Sequence, residues 1–479
     1  MRARHFLRDL YILILREVSM RILLVRPPRI KQAITVSNFM FSEPLGLEMI
    51  YGVFSREHTV EIFDMMVEEI SIEEKITSFQ PDMIGLTSLC IDVLKVKDLC
   101  RRIKEHDSKI LTFVGGTQAL LCPESFFDPD IDYVFNYTTE ENLLKFVNGN
   151  HMNDCGDDAA GCACIEGVYQ KRNSFTDKFP EGRNQYLLPD RTSTEKYRMH
   201  YSYFGYRPAA IMEYGVGCES RCSFCLRWRI EGYKETEIDK DITIEDLKSI
   251  KEDTIMFIDN DFLANRKKLE GFLNLVKELD LRKNYIVYGS VKGVLKNRDL
   301  LIEFRDLGLK AVLIGYETFR DDELQSYNKD ISANANLEAA ELLRELEIDV
   351  WASFMAHPDW TSDDFRKFRK YIKKLRPQIT TINPLTPFPG LPMYEQYRDR
   401  LLFKKEDYEK WSFGQLIIRP SNMSIRRYYY ELMITYLYVN LFINGNTDML
   451  RKYGASNMLR IAVGAVKASR NYIRLMFIG

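Results

Sequence analysis

Two long stretches of this chain read as short apolar strands alternating with helical stripes, a rhythm that leaves room for little but parallel sheets flanked by helices. In the first, about residues 20–150, the strands are Ile22-Leu23-Leu24-Val25, Val60-Glu61-Ile62-Phe63, Met83-Ile84-Gly85-Leu86-Thr87, Ile110-Leu111-Thr112-Phe113-Val114 and Tyr133-Val134-Phe135. Between the third and fourth, Val96, Leu99, Cys100 and Ile103 share one helical face. In the second stretch, about residues 206–395, apolar runs at 209–212, 255–258, 285–288, 311–317 and 350–354 and a sixth near 380–383 alternate with helices. One of these helices is closed by Gly308. Another opens on Thr361 with Asp364 three residues on, ahead of the stripe Phe365, Phe368, Ile372 and Leu375.

The expected class is therefore α/β. A Rossmann-like, flavodoxin-like parallel sheet domain (20–150) is followed by a linker (151–205), six strand–helix units (206–395) and a mostly helical region (396–479). The first nineteen residues read as a loose extension or a mis-set start, because Met20 opens a more typical beginning. At 479 residues the chain exceeds one ordinary core. The net charge of −2 gives no sign of a nucleic-acid partner. Nine cysteines in a chain this large point to a reducing cytoplasm rather than a disulfide framework, and no run of about eighteen apolar residues is present to span a membrane.

The sharpest motif opens the second stretch. Gly215-Val216-Gly217-Cys218-Glu219-Ser220-Arg221-Cys222-Ser223-Phe224-Cys225 sets three thiols at C-x3-C-x2-C in a loop softened by two glycines. Three thiolates so spaced suit three irons of a 4Fe–4S cube, whereas electron-transfer clusters are closed by four cysteines. The open fourth corner implies that a small molecule completes the coordination. Zinc wants a fourth ligand close by, and the nearest histidine, His200, lies well upstream.

With this motif the chain resembles the radical S-adenosylmethionine superfamily, in the branch that carries a cobalamin-binding domain ahead of the radical core and includes hopanoid C-3 methylase-like and magnesium-protoporphyrin ester cyclase-like members. The resemblance implies that Cys218, Cys222 and Cys225 hold a 4Fe–4S cluster. It implies that S-adenosylmethionine binds the open iron and is cleaved to a 5′-deoxyadenosyl radical, and that the six units form a partial (β/α)6 barrel with its chemistry at the strands' carboxyl ends. On the same ground Phe224 would lie against the adenine, Glu317 would bind the ribose hydroxyls, and Asp259, Asn260 and Ser290 would hold the methionine part. Each of these polar residues can instead cap a helix. In the first domain the strand ends carry Arg26-Pro27-Pro28, Thr87-Ser88 and Gly115-Gly116-Thr117. The resemblance makes Thr87, Ser88, Gly115 and Gly116 the lining of the cobalamin nucleotide tail. The chain has no Asp-x-His-x-x-Gly segment, and where the branch usually has an acidic, glycine-rich turn it reads Asn136-Tyr137-Thr138-Thr139-Glu140-Glu141. A flavodoxin-like domain without cobalamin is the alternative.

His357 and Asp359 stand where many relatives have a glycine-rich turn, and are candidates for substrate binding, proton handling or a structural turn. Cys155, Cys162 and Cys164 lie close together in no assignable spacing. From Ser456 onward Arg460, Lys467, Arg470 and Arg474 meet no acid and alternate with apolar residues, a pattern that suits either a helix docked on the core or peripheral contact with an anionic membrane. The resemblance implies methylation of an unactivated carbon in an apolar small-molecule substrate, with an electron donor such as flavodoxin or ferredoxin. The alternatives are a ring-forming or rearranging enzyme that keeps both cofactors, and a metal-stabilised binding protein without radical chemistry.

Overall fold

The structure is a computed structural model that describes residues 19–28, 40–148, 165–170, 184–203 and 205–443, then 454, 455, 459, 463, 466 and 469–477. The N-terminal extension up to residue 18 lies outside the described residues, as do Cys155, Cys162, Cys164, Arg460 and Lys467. The chain divides into two compact units, Met1–Arg29 with Pro44–Glu195, and Ile30–Glu43 with Lys196–Gly479.

The first unit is built on strands β1 (Arg21–Arg26), β2 (Thr59–Asp64), β3 (Met83–Thr87), β4 (Leu111–Gly115), β5 (Tyr133–Phe135) and β6 (Val168–Gln170). They lie in the order β2-β1-β3-β4-β5-β6, parallel except for the last. This is the flavodoxin-like order, whose direction of winding reverses between β1 and β3. Ile22 to Val25 are wholly buried, as a central parallel strand requires. The helix α1 (Val93–His106) buries Val96, Leu99, Cys100 and Ile103 on one face, as their spacing predicts. The sequence did not announce β6, whose Val168-Tyr169-Gln170 buries only its first residue and so shows no apolar run.

In the second unit, β7 (Ala210–Met212), β8 (Thr254–Phe257), β9 (Asn284–Gly289), β10 (Leu309–Glu317), β11 (Asp349–Ala356) and β12 (Ile379–Pro384) form one parallel sheet in strict chain order. Helices join the strands, among them α2 (Arg266–Glu278), α3 (Val291–Lys296), α4 (Arg298–Asp306) and α5 (Ser362–Leu375). The order is that of a barrel left open between β7 and β12, which matches the expected six-unit core. Phe272 of α2 touches Phe257, Phe262, Tyr285 and Phe304 at centroid separations of 5.0, 5.1, 5.6 and 5.6 Å, fastening α2 and α4 to the sheet. Gly308 has φ 121°, and a Cβ there would stand 2.1 Å from the Lys283 carbonyl oxygen, so β10 can begin only after glycine. The capping box Thr361/Asp364 forms, and Phe365, Phe368, Ile372 and Leu375 are buried.

A last long helix, α6 (Ile425–Phe442), docks on α5. Arg369 pairs with Glu431 at 3.3 Å and donates to the Thr435 hydroxyl at 2.8 Å, while the Tyr428 hydroxyl donates to the Ala356 carbonyl at 2.6 Å. Residues 40–43, well upstream in sequence, belong to this second unit. Met40–Phe41 pairs with Ser202–Tyr203, and Glu43 accepts from the Ile211 N–H at 2.7 Å.

Candidate active site

Strand β7 stops at Met212 and feeds the three-cysteine loop. Asp259, two residues past β8, fixes the loop's root: its carboxylate accepts from the N–H groups of Tyr214 (2.9 Å) and Gly215 (2.8 Å) and pairs with Lys268 at 3.1 Å. The Lys268 side chain has no exposed surface. Burial works against its charge, but Asp259 and Glu235 outweigh burial and raise its pKa. Gly217 turns at φ 97°, and a Cβ there would lie 2.2 Å from the Lys234 carbonyl oxygen, so the loop takes only glycine at this point. The far side of the loop is tied to the segment after β10. The Ser223 N–H donates to the Tyr327 carbonyl at 3.1 Å and the Asn328 amide to the Arg221 carbonyl at 3.1 Å. Inside the loop, the Trp228 indole N–H and the Cys225 N–H reach the Cys222 carbonyl at 3.0 and 3.1 Å.

Cys222 is buried, and Cys218 and Cys225 are half-buried. Burial pushes the Cys222 thiol up to about 12; Lys329 opposes this, while Glu317 and the other two thiols add to it. The three sulfurs thus feel one another's charge, yet among the described residues no three Cys, His, Asp or Glu side chains converge tightly enough for a single ion.

Glu317 closes β10 at φ 63°, where the register with β11 slips by a residue. A non-glycine residue held left-handed at a strand's carboxyl end marks a functional candidate. Its carboxylate pairs with Lys329 at 2.7 Å, and the same Nζ donates to the Gly315 carbonyl at 2.8 Å. Burial opposes the Lys329 charge, but Glu317 and Cys222 override it and raise the pKa. Phe224 meets Tyr327 edge-on, with centroids 5.5 Å apart, in an apolar cluster with Leu385, Met393 and Tyr397.

The other residues expected to hold the cofactor are engaged by the protein itself. Asp259 serves the loop root. Asn260 accepts from Arg227 and donates to Glu231 at 2.6 Å. Ser290 caps α3, accepting from the Gly293 N–H at 3.0 Å, while its own N–H goes to Asp261 at 3.1 Å. The helix-cap alternative therefore describes Ser290.

Of the readings open for Asp359, the structure displays the structural one: its carboxylate is held by residues further along the chain. Arg400 binds its carboxylate through both guanidinium NH groups, and Ser421 binds it through N–H (3.2 Å) and hydroxyl (2.5 Å). Against the effect of burial, these partners hold its pKa down at about 2. It anchors the chain that follows the core. His357 accepts at Nδ1 from the Asp359 N–H (3.1 Å) and meets the Tyr397 hydroxyl at Nε2 (3.0 Å), and burial lowers its pKa to about 4. It is a neutral imidazole at the carboxyl end of β11.

Sequence reasoning passed over Lys329 and a half-buried charge group around Arg227. Arg227 stands 3.8 Å from Glu213 and 2.9 Å from Glu231. Burial and Glu231 push Glu213 up to about 8. An acid directly after the apolar run of β7 was a legible signal for Glu213. Lys329, in a polar turn, gave none.

In the first unit, Thr87 stands opposite Gly115 in the β3–β4 register. The Ser88 N–H donates to the Gly115 carbonyl at 3.0 Å, and the Gln118 N–H donates to the Ser88 carbonyl at 3.1 Å. Gly116 has φ 93°, and a Cβ there would lie 2.7 Å from Thr87 Oγ1 and 2.8 Å from the Ser88 nitrogen. The four expected residues thus form one ledge at the strands' carboxyl ends. Ser88 is buried within it, Gly116 is open, and Leu89 projects beside it 53% exposed. Accessible backbone next to an exposed apolar side chain fits a broad ligand with a polar tail. In the turn that lacks glycine, the Asn136 side chain donates to the Ala119 and Leu120 carbonyls at 3.2 and 2.9 Å and ties the turn to the helix Thr117–Leu121.

Comparison with known proteins agrees with this division. The B12 binding domain profile matches residues 33–144, and that of the radical SAM superfamily matches residues 212–372. The chain is 27% identical over 404 residues to hopanoid C-3 methylase of Methylococcus capsulatus, covering 83% of this chain and 76% of that protein. It is 24% identical to the anaerobic magnesium-protoporphyrin IX monomethyl ester cyclase of Cereibacter sphaeroides, covering 77% and 61%. Among solved structures it resembles the radical S-adenosylmethionine methyltransferase TsrM from Kitasatospora setae with cobalamin and a [4Fe-4S] cluster bound, with a TM-score of 0.68 at 14% identity, covering 96% of this chain and 99% of that one.

Proposed function

Because the chain belongs to the radical SAM superfamily, in the branch that carries a B12 binding domain ahead of the radical core, we propose that it is a cobalamin-dependent radical SAM methyltransferase acting on an unactivated carbon of an apolar substrate. When bound, the cluster and S-adenosylmethionine supply a 5′-deoxyadenosyl radical that removes a hydrogen atom, and cobalamin supplies a methyl group. The chain's own residues do the placing. Cys218, Cys222 and Cys225 hold the cluster on a loop pinned by Asp259, Ser223 and Asn328. Glu317 accepts hydrogen bonds from the nucleotide's ribose, and Phe224 packs against its base. Lys329 offers a half-buried positive charge near Glu317 and Cys222. Thr87, Gly115 and Gly116 let the corrinoid tail approach the backbone. A low-potential flavodoxin or ferredoxin provides the electron.

The observation that carries this reading is the meeting at one end of the open barrel of three thiols, the left-handed Glu317 and the half-buried Lys329, a set that suits an iron cluster and a polar nucleotide together. The test is anaerobic reconstitution followed by incubation with S-adenosylmethionine labelled in its methyl group and a lipid extract. Labelled lipid together with 5′-deoxyadenosine supports methyl transfer. 5′-Deoxyadenosine with no labelled product favours the ring-forming or rearranging reading, to which the similarity to the cyclases lends weight. Absence of labile sulfide after reconstitution refutes both.

A further inference from the structure

We propose that the outward face of the C-terminal helical segment is a docking surface for an anionic phospholipid bilayer. Residues 469–477 are helical, as are 459, 463 and 466 upstream of them. The inner side of this segment is accounted for: Tyr472 is buried, with its ring 6.0 Å from that of Tyr429, and Leu475 and Met476 pack on the unit's core. Among the described residues, the outer side is exposed. Leu459 (67%), Val463 (41%), Val466 (60%), Ile473 (45%) and Phe477 (72%) are all exposed. Within the described helical stretch 469–477, Ile473 and Phe477 stand four residues apart and so share one face. Phe442, at the end of α6, is 72% exposed as well.

Charge decides what covers this face. After Asp448 the sequence contains six Lys or Arg and no acid. Arg470 and Arg474 are exposed between the apolar residues and form no ion pair among the described residues, and Arg426 lies over the Phe477 ring at 5.0 Å. Apolar side chains flanked by unopposed guanidinium groups match an interface in which the former enter the acyl boundary and the latter meet lipid phosphates. A second copy of the chain would bring the same excess of positive charge against itself. No helix among the described residues is long and apolar enough to cross a membrane, so the contact is peripheral, and a single amphipathic segment makes it reversible.

The contact is separate from the chemistry proposed above, although it would bring the protein to apolar substrates. The test is co-sedimentation of the full-length, anaerobically prepared protein with vesicles of phosphatidylcholine alone or mixed with phosphatidylglycerol. Binding is expected only to the anionic vesicles, and should weaken as salt rises. Each cation near such a surface is worth about 1 kcal/mol, about fivefold in partitioning, so the double variant Arg470→Gln/Arg474→Gln should bind roughly 30-fold more weakly. The variant Phe477→Ser should also bind less, with iron content unchanged in both variants. No binding, equal binding to both vesicle types, or a dimer of the free protein that Phe477→Ser dissolves would overturn the proposal. Vesicle binding is read without turnover, so its failure and a failure of methyl transfer are told apart.

Discussion

Replacing Lys268 by Met tests whether the root of the cysteine loop is held electrostatically. Lys268 has no exposed side-chain surface and Asp259 has 1%, and their charges stand 3.1 Å apart. The variant leaves Asp259 buried, with two backbone donors and no counter-charge. Removing one partner of a buried pair costs about 3–5 kcal/mol. For a unit of this size each kcal/mol is worth roughly 2–4 °C of melting temperature, so a drop of about 10 °C is expected. Because Asp259 carries the N–H groups of Tyr214 and Gly215, iron per chain after reconstitution should fall as well. The pH dependence follows from the raised lysine pKa. The stabilisation is fully present below the unfolded lysine value of about 10.4 and is lost only as pH rises through the higher folded value. The gap between wild type and variant should therefore be constant from about pH 7 to 9 and close only in strong base. Adding Asp259→Asn should recover part of the loss, since a neutral amide no longer needs the ammonium. Anaerobic thermal melts with iron and sulfide assays decide the matter. A loss below about 1 kcal/mol with normal iron content would refute the argument.

Changing Cys222 to Ala should abolish reductive cleavage of S-adenosylmethionine, measured as 5′-deoxyadenosine formed. Glu317→Gln should weaken S-adenosylmethionine binding by about 10- to 100-fold, the usual worth of a hydrogen bond to a charged group, with iron content intact by absorbance. Gly116→Ala places a methyl group against Thr87 and Ser88, and should lower corrinoid content while iron is unaffected. Asp359→Asn should destabilise the protein by about 1–2 kcal/mol at neutral pH, allowing for the 28% exposure of the carboxylate. Since the Asp359 pKa is depressed to about 2, that contribution is present above about pH 4 and fades as pH falls toward the folded value, which urea melts at two pH values would detect.

The sequence made the sheets legible because parallel strands are buried on both faces and so read as apolar runs. Ile22 to Val25 and Ile255 to Phe257 are cases in point, each wholly buried. The thiol loop was legible for a different reason, since three cysteines in eight residues have few other uses. What stayed hidden depends on partners distant in the chain. Nothing local distinguishes Asp259, which serves backbone and a lysine, from an acid free to bind a ligand. Asp359 stayed open between a proton-handling and a structural reading because Arg400 and Ser421, which bind it, lie about 40 and 60 residues downstream. Ser290 was ambiguous in sequence because a serine after a strand is both a good ligand and a good helix cap.

The two lysines at the open end of the barrel follow one electrostatic logic. A buried carboxylate needs a counter-charge, and in this sheet it comes each time from the element that follows the strand: Lys268 from α2 for Asp259 after β8, and Lys329 from the turn beyond β10 for Glu317. The pairs differ in what else they touch. Asp259 is saturated by two N–H groups and Lys268, so it cannot release its partner without loosening the cysteine loop. Glu317 pairs with Lys329, and Lys329 already feels Cys222. A nucleotide arriving with hydroxyl donors and an anionic group can satisfy each member of that second pair separately, at little net electrostatic cost. Under the proposed function the first pair is scaffold and the second is exchangeable. Substitutions at Lys268 should therefore appear in melting and iron content, and substitutions at Glu317 in nucleotide affinity.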